Sequence, residues 1–467
     1  MYLTKSHFLA YLDAPMHLWA DYNDRFEKPL SIYDQHLLKQ GYEVEKYAKE
    51  YLENLVSQDN NLELVWQRSF TDKNYEAKSD ALIHKLDTDT YDIYEIKSST
   101  EVKKENKYDA TFQFLVSNKQ IKIDKVFILH LNKEYVRYGK LNINELFVAD
   151  DVTDKVHELK IEVDIKREKA FEVPQKQDHE NIQACYDIKS CRCMSLCHPD
   201  LPEFSIFNIP RLSKKKKQAL LDLNITLPQD VPDNFKLSYK QSVVVKAAKT
   251  NKLQLDRKAI VHELERYEFP LYFLDYETFN SAIPLFDGYK PHQQMVFQYS
   301  LHTLEHPDSK LKHTEHLSLG KDDPALSLVK YLKQDISNTG SIIVWNKTFE
   351  AGRNKEMAEL CPENTDFLLD LNDRMLDLAD FVKDGMYVHP RFKGSWSIKN
   401  VLPVLVPHLS YANLEIGKGD QAMIAWWDMF NDKDPRPEET ENSLLKYCEL
   451  DTLAMIEVWK ELLRQIS

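Results

Sequence analysis

Apolar and polar positions along the chain form two series of predicted strands and helices. Strands are predicted where β-branched and aromatic residues run between turn residues, and helices where apolar residues recur at helical spacing. Because strands and helices alternate in both series, we predict two mixed α/β modules in which helices pack on sheets. The predicted helices are 1–21, 32–56, 109–117, 323–336, 348–360 and 439–465, and the predicted strands are 62–70, 76–84, 92–97, 125–131, 271–276, 295–304, 312–319 and 341–346.

The segment between the two series differs in composition. Residues 201–265 are rich in lysine, contain Pro210, Pro228 and Pro232, and favour only short helices. We predict a helical connector here, with an N-terminal module at 1–200 and a C-terminal module at 266–467. These parts fit a chain of 467 residues, because domains usually span about 100–200 residues.

Composition limits the class of protein. No apolar run approaches the roughly 18 residues of a membrane helix, and the first residues lack a signal-peptide pattern, so we expect a cytoplasmic protein without membrane association. The net charge of −14 argues against a non-specific coat on nucleic acid, because phosphate affinity depends on Lys and Arg. A nuclease remains compatible with this charge, since its metal-binding acids are negative until cations bind.

Acidic residues follow the first strand of the C-terminal module. Asp275 and Glu277 are two positions apart, so their side chains share a strand face. On the last predicted helix, Tyr447 and Asp451 are one turn apart on the same face. Carboxylates are the ligands that Mg²⁺ and Mn²⁺ prefer, and two such ions can hydrolyse a phosphodiester. The tyrosine hydroxyl could orient the attacking water.

Three motifs in chain order resemble those of the DEDD superfamily of 3′–5′ exonucleases, which has an RNase H-like fold. The motifs here are Asp275-x-Glu277, Asn346-x-x-Phe349-Glu350 and Tyr447-x-x-x-Asp451. Glu350 stands where most members of the superfamily have aspartate. The resemblance implies that Tyr447 positions water and that two Mg²⁺ or Mn²⁺ ions are held by four carboxylates: Asp275, Glu277, Glu350 and Asp451.

Two other residues are candidates for contacting substrate. Asn346 opens the second motif, and Lys399 ends the segment Gly394-Ser-Trp-Ser-Ile-Lys399, which resembles a loop that enters a helix. A lysine at the start of a helix can contact a phosphate group. The alternative for this segment is ordinary helix capping by Ser395 or Ser397.

The N-terminal module carries a second group of candidate residues. Asp80 lies on one predicted strand, and Glu95-x-Lys97 lies on the next. Both carboxylates could bind Mg²⁺, and Lys97 shares a strand face with Glu95, where it could orient water or stabilise developing negative charge. The alternative is a weak ion pair on an exposed strand.

This pattern resembles the PD-(D/E)XK nucleases, which have a restriction-endonuclease-like fold, and in particular their RecB-like branch. The resemblance implies that Asp80 and Glu95 are metal ligands and that Lys97 is catalytic. Glu45 falls where that branch often has a histidine or glutamate ligand. Gln113 lies near the position of the branch's later glutamine motif, although the tyrosine expected after it is absent.

Four cysteines lie within thirteen residues, at Cys185, Cys191, Cys193 and Cys197. In a cytoplasmic chain, such clustering indicates metal ligation rather than disulfides. RecB-like nucleases with an iron–sulfur cluster use three cysteines after the nuclease core and an earlier cysteine before a proline, where this chain has Ala14. The alternatives are a 4Fe-4S cluster with Cys193 as fourth ligand, a Zn²⁺ ion, or no metal.

Together, the two halves resemble an uncharacterised bacterial family that joins a RecB-like nuclease module to a DEDD exonuclease-like domain. The resemblance implies a metal-dependent nuclease that acts as a 3′–5′ exonuclease on nucleic-acid ends, with DNA expected ahead of RNA. Two alternatives remain. The N-terminal half could be a non-catalytic platform that binds nucleic acid, or the whole chain could be a non-enzymatic adaptor.

Overall fold

The computed structural model describes residues 2–27 and 29–466. The chain forms two compact units: unit 1 consists of Met1–Asp200 and Ser281–Gln293, and unit 2 of Leu201–Asn280 and Gln294–Ser467. The segment 201–265 belongs to unit 2. Both units contain mixed sheets and many helices, so the predicted mixed α/β class is confirmed. In the described part of the chain, none of the helices combines the length and apolar character needed to cross a bilayer.

Unit 1 contains two sheets and the helices around them. Its strands are β1 (Leu3–Thr4), β2 (Leu62–Trp66), β3 (Ser69–Asp72), β4 (Tyr75–Lys78), β5 (Ala81–Lys85), β6 (Thr90–Lys97), β7 (Ile123–Leu131) and β8 (Phe147–Asp151). Its helices are α1 (Lys5–Asp13), α2 (Pro15–Tyr22), α3 (Ile32–Val56), α4 (Lys104–Ser117), α5 (Ile143–Leu146), α6 (Thr153–Glu172) and α7 (Met194–Cys197).

The larger sheet of unit 1 has the strand order β2-β5-β6-β7-β8, in which only the β6–β7 pairing is parallel. Strand β6 is central, and its Ile93 is fully buried. Antiparallel pairing sets Ala81 of β5 opposite Tyr94 of β6. Asp80, which precedes β5, is therefore held beside Glu95 of β6.

Three predicted elements of unit 1 are interrupted. The helix predicted at 1–21 is wrong as a single element, because Pro15 lacks an amide donor and restricts the preceding Ala14 to an extended conformation. Thr4 caps the N-terminus of α1, where its side chain accepts a hydrogen bond from the His7 amide. The strands predicted at 62–70 and 76–84 are each divided in two. Gln67, with a φ of 51°, interrupts the first, and the second breaks between Lys78 and Ala81.

Unit 2 contains a second mixed sheet and a larger set of helices. Its strands are β9 (Gln254–Leu255), β10 (Leu271–Asn280), β11 (Gln294–Leu304), β12 (Lys312–Leu317), β13 (Ser341–Val344), β14 (Met375–Asp377) and β15 (Tyr387–Val388). Its helices are α8 (Lys214–Leu221), α9 (Tyr239–Thr250), α10 (Arg257–Leu264), α11 (Pro324–Asp335), α12 (Lys347–Leu360), α13 (Thr365–Asp373), α14 (Asp380–Lys383), α15 (Ile398–Leu405), α16 (Gly419–Phe430) and α17 (Pro437–Ile466).

The main sheet of unit 2 has the order β12-β11-β10-β13-β14, with β10 at its centre. Strands β12, β11 and β10 are antiparallel, whereas β10, β13 and β14 are parallel. The apolar start of β10 is buried, and Trp459 of α17 packs edge-on against Phe273 at 6.1 Å between ring centroids. The apolar face of α17 therefore lies on β10 and β11, which brings its polar residues near the end of β10.

Candidate metal centres

The acid group of unit 2 lies where β10 meets α17. Asp275 and Glu277 of β10 and Cys448 of α17 each offer a ligand atom, and these atoms lie within 4.8 Å of one another. The Cys448 thiol is 3.7 Å from Oδ2 of Asp275. Cys448 is fully buried, as expected for a core cysteine. The predicted pair of acids on one strand face is therefore directed towards the last helix.

Asp451 and Tyr447 occupy the adjoining turn of α17. Oδ1 of Asp451 accepts a hydrogen bond from the Tyr411 hydroxyl at 2.6 Å, and the Tyr447 hydroxyl accepts one from Nζ of Lys399 at 2.7 Å. The Lys399 charge also acts on Glu277 and Asp451. The structure thus brings both predicted residues of α17 and Lys399 to the acid group. Tyr411 was not foreseen, because neither its spacing nor its neighbours distinguish it.

Glu350 lies in the first turn of α12 and is buried, with 3% of its surface exposed. Within the described part of the chain, its Oε2 has no hydrogen-bond partner. Its charge contributes to the raised pKa values of Asp275 and Glu277, which shows that it belongs to the same electrostatic group. Asn346 is the exposed residue that precedes this helix.

Burial and mutual repulsion raise the pKa values of these carboxyl groups. The pKa values of Asp275 and Glu277 lie well above their ordinary range, first because of burial and then because of neighbouring carboxylates. Burial also raises the pKa of Glu350 to about 8 and that of Asp451 to about 6. Crowded carboxylates of this kind are stabilised when divalent cations bind between them.

The acid group of unit 1 already contains two ammonium groups. Asp80 accepts a hydrogen bond from the Ile96 amide at 2.9 Å. Nζ of Lys5 is 3.3 Å from Oδ1 of Asp80 and 3.0 Å from Oε1 of Glu95. Nζ of Lys97 is 2.6 Å from the same Glu95 oxygen. The three residues predicted for this site therefore lie together, and Lys5 bridges its two carboxylates.

Helix α4 completes this acid group. Asp109 accepts a hydrogen bond from Lys97 at 2.7 Å, and Gln113 donates to Glu95 at 2.5 Å and to Asp109 at 3.2 Å. Although burial of Glu95 opposes its ionisation, the charges of Lys97 and Lys5 hold its pKa below the ordinary value. Asp109 could have been suspected from its position four residues before Gln113, one helical turn away.

Glu45 lies on α3, and its carboxylate accepts a hydrogen bond from Nε2 of Gln67 at 2.5 Å. Gln67 in turn accepts a hydrogen bond from Lys78 at 2.8 Å. The backbone amide of Gln67 donates to the carbonyl oxygen of Asp80 at 2.9 Å, so Gln67 connects the third predicted ligand to the residue that carries the first.

The cysteine cluster gains a histidine. His17, Cys191, Cys193 and Cys197 are buried, and each offers a ligand atom within 4.8 Å of the others. The Sγ atoms of Cys193 and Cys197 are 3.8 Å apart. Cys185 is buried beside this set, and its Sγ is 3.6 Å from the carbonyl oxygen of Asp187. This arrangement of a histidine and three cysteines could hold a metal ion.

The surroundings of His17 suit a metal ligand. Its Nδ1 is 2.7 Å from a carboxylate oxygen of Asp13. Among the described residues, none is a hydrogen-bond partner for the buried Nε2. Metal-binding histidines commonly hold one ring nitrogen through a carboxylate and coordinate through the other. His17 is therefore placed where it could serve as a fourth ligand, in a chain that has Ala14 at the position of the earlier cysteine. One weak signal for this role is present in the sequence, since His17 follows Pro15 by only two positions.

Comparisons with known proteins show similarity to proteins of unknown function over part of the chain. Residues 272–397 match a domain of unknown function, DUF2779. The uncharacterized protein UU173 of Ureaplasma parvum is 29% identical over 245 residues, which cover 47% of this chain and 35% of that protein. The uncharacterized protein MG366 of Mycoplasma genitalium is 29% identical over 208 residues, and its Mycoplasma pneumoniae homolog is 31% identical over 206; each alignment covers 40% of this chain and 31% of the relative.

The chain spans about a third of the length of the curated relatives that it matches. No solved structure matches it at a significant level. The matched domain contains Asp275, Glu277 and Glu350, whereas Tyr447 and Asp451 lie beyond its end. The chain is therefore similar, over part of its length, to proteins of unknown function.

Proposed function

We propose that this chain is a metal-dependent nuclease and that unit 2 removes nucleotides from 3′ ends by two-metal hydrolysis. The observation that carries the proposal is that Asp275 and Glu277 of β10 are buried where the charges of Asp451 on α17 and Glu350 on α12 raise the pKa values of both. Their raised pKa values support cation binding, because repulsion among them is relieved by divalent ions. The RNase H-like fold of unit 2 and the preference for DNA belong to the same proposal.

Each residue of this group has a distinct role in the proposed reaction. Asp275, Glu277, Glu350 and Asp451 would hold two Mg²⁺ or Mn²⁺ ions, which supply Lewis-acid catalysis when bound. Because Lys399 donates a hydrogen bond to the Tyr447 oxygen, the Tyr447 proton is directed elsewhere. The tyrosine can then donate to the attacking water and orient it. Asn346, at the start of α12, would contact the nucleic acid.

Unit 1 would be a second module of the PD-(D/E)XK kind, with Asp80 and Glu95 as ligands and Lys97 beside them. One observation favours the alternative, in which unit 1 binds nucleic acid without cutting it. The Lys5 ammonium group already lies between Asp80 and Glu95, so a divalent ion would have to displace it. Activity in unit 1 thus requires Lys5 to move.

The cysteine group would hold either a 4Fe-4S cluster or Zn²⁺. Its donor set of three thiols and one imidazole fits both, since thiolates and imidazole bind zinc and thiolates bind iron–sulfur clusters. Iron and zinc analysis of the anaerobically purified chain, together with its visible absorption, distinguishes the two. Cys185 interacts with Cys191 and Cys197, and His17→Ala tests whether it can replace His17 as fourth ligand.

The decisive experiment compares two isosteric variants of the full chain. Asp275→Asn and Asp80→Asn each remove one carboxylate charge from one acid group without opening a cavity, and Asp366→Asn on the exposed face of α13 serves as the control. Single-stranded DNA and RNA labelled at the 5′ end are incubated with Mg²⁺ or Mn²⁺. We expect progressively shorter labelled products, lost only with Asp275→Asn.

Other outcomes assign the chemistry differently. Activity that survives Asp275→Asn and disappears with Asp80→Asn would move catalysis to unit 1. Loss of the terminal label as single nucleotides would reverse the proposed polarity. If the unmodified chain cuts neither DNA nor RNA with either metal ion, the nuclease proposal is wrong and the adaptor function is favoured.

A further inference from the structure

Another group of metal-ligating side chains lies in unit 2. His302 of β11 and His313 of β12 are directly paired across the two antiparallel strands, and their rings stack at 4.4 Å between centroids. Each of them, and Glu449 of α17, offers a ligand atom, and these three atoms lie within 4.8 Å of one another. We propose that these residues form a binding site for Zn²⁺ or a similar transition-metal ion.

Hydroxyl groups orient both imidazole rings. Nδ1 of His302 is 2.8 Å from Oγ1 of Thr452, and Nε2 of His313 is 3.0 Å from Oγ of Ser300. These two buried hydroxyls are themselves 2.9 Å apart. Metal-binding histidines usually hold one ring nitrogen by such a hydrogen bond and coordinate through the other. The ligand atoms here would be Nε2 of His302 and Nδ1 of His313, and the latter lies 3.9 Å from Oε1 of Glu449.

The donor set selects the class of metal. Two imidazole nitrogens and one carboxylate oxygen suit Zn²⁺ and neighbouring transition metals, whereas Mg²⁺ prefers oxygen alone. Three protein ligands leave a fourth position for water. A further carboxylate lies beside His313, since Oε2 of Glu315 is 3.9 Å from its Nε2. This set differs from the all-carboxylate group proposed for catalysis, so the two sites would take different ions.

A metal ion at this position would connect α17 to the β11–β12 hairpin. Glu449 lies on α17 between Tyr447 and Asp451, so coordination would restrain the helix that carries both residues. The inference does not rest on the proposed nuclease activity, because it concerns Zn²⁺ binding and the stability of unit 2. The alternative is a purely hydrogen-bonded pair of histidines that binds no ion.

The test counts bound zinc in the full chain. Unmodified protein, His313→Asn and a control, His316→Asn, are stripped with chelator, incubated with Zn²⁺ and gel-filtered before metal analysis. His316 lies on the same strand, where it is half-buried and stacks on Tyr331 at 4.5 Å, outside the proposed ligand set. We expect one Zn²⁺ per chain fewer for His313→Asn than for the unmodified protein and His316→Asn. Zinc at the cysteine group contributes equally to all three.

A second variant covers the case in which His313→Asn does not fold. Glu449→Gln keeps the shape of a half-exposed side chain and removes its charge. We expect its affinity for the proposed Zn²⁺ to fall more than about tenfold, by analogy with the loss of weaker second-shell contacts. Equal zinc content in the unmodified protein and all folded variants, with no difference in Zn²⁺-induced stabilisation, would overturn the proposal.

Discussion

The acid groups of the two units differ in how their negative charge is balanced. In unit 1, two ammonium groups lie among three carboxylates: Lys5 and Lys97 among Asp80, Glu95 and Asp109. In unit 2, Lys399 favours ionisation of Glu277 and Asp451, and Arg353 and Lys383 favour ionisation of Glu350, but the pKa values of these carboxyl groups remain raised. We infer that unit 1 carries much of its own neutralisation and that unit 2 relies more on cations from solution.

The pKa shifts separate the two units at one carboxyl group, that of Glu95. In unit 1, burial raises the pKa of Asp80 to about 7 and that of Asp109 above its ordinary value, whereas Lys97 and Lys5 hold the pKa of Glu95 below its ordinary value. In unit 2 the pKa values of all four carboxyl groups are raised. A buried charge without a counterion costs several kcal/mol. We infer that the acid group lowers the stability of folded unit 2 until divalent ions bind to it.

The largest expected effect comes from removing an internal cation of unit 1. Lys97→Met removes the ammonium group that pairs with both Glu95 and Asp109. The side chains of both acids are 1% exposed, and that of Lys97 is 22% exposed. Because breaking a buried pair leaves an uncompensated charge, we expect unit 1 to lose about 3–5 kcal/mol of unfolding free energy. Urea titration followed by hydrogen exchange in β6 and α4 measures this loss.

The matched control for this variant is Lys78→Met. Lys78 is an exposed lysine on β4 of the same unit and donates a hydrogen bond to Gln67. We expect it to change stability by less than about 1 kcal/mol, as is usual for exposed polar contacts. Equal losses in the two variants would contradict the view that lysines neutralise the acid group of unit 1.

The second prediction concerns divalent ions. At Mg²⁺ or Mn²⁺ concentrations about 100-fold above the dissociation constant, we expect unit 2 to gain about 2.7 kcal/mol of unfolding free energy, because only the folded state assembles the site. Hydrogen exchange should show the gain in β10 and α17 and little change in β6, where Lys5 competes. Asp275→Asn should remove the gain. Stabilisation confined to unit 1 would reverse the comparison.

The sequence was informative where chemistry depends on local geometry. Asp275 and Glu277 share a strand face, and Tyr447 and Asp451 share a helix face, so spacing alone indicated both pairs. The same is true of the long helix Ile32–Val56, whose limits match the prediction. Breaks in the predicted strands and helices were missed where a single residue sets the backbone conformation. Pro15, the first residue of α2, is an example.

Contacts between distant parts of the chain could not be predicted in this way. Lys5 is 90 residues from Glu95 in sequence, and Lys399 is 48 from Tyr447. His17 likewise meets cysteines near position 190 only after folding. No periodic pattern connects such residues, because their proximity depends on sheet order and helix packing. The sequence therefore left Lys5 unassigned, and it indicated roles in catalysis and substrate contact, not in charge balance, for Lys97 and Lys399.

The third prediction is the pH dependence of unit 2 without divalent ions. Burial raises the pKa of Glu350 from 4.5 to about 8 and that of Asp451 from 3.8 to about 6. Between the ordinary and raised values the folded state binds more protons than the unfolded state, so stability is lost as pH rises. We expect a decrease on the order of 1–2 kcal/mol from pH 6 to pH 8.

Calorimetry at both pH values, with chelator and then with saturating Mg²⁺, checks this expectation. Bound ions keep the carboxylates ionised, so the decrease should shrink or disappear when Mg²⁺ is present. Stability that rises from pH 6 to pH 8 in chelator would show that the acids of unit 2 are balanced by groups other than metal ions.

The smallest expected effect has the opposite sign from the largest. Asp275→Asn removes one of several repelling carboxylates, and the asparagine fills the same volume, so we expect unit 2 to gain about 1 kcal/mol in chelator. The gain should coincide with lost Mg²⁺ stabilisation, measured by urea unfolding of the same preparation. Removal of a charged side chain would then weaken unit 1 and strengthen unit 2. Asp275→Asn could instead destabilise unit 2 in chelator, as Lys97→Met is expected to destabilise unit 1. That result would show that protein cations neutralise both acid groups, and the inferred difference between the units would be wrong.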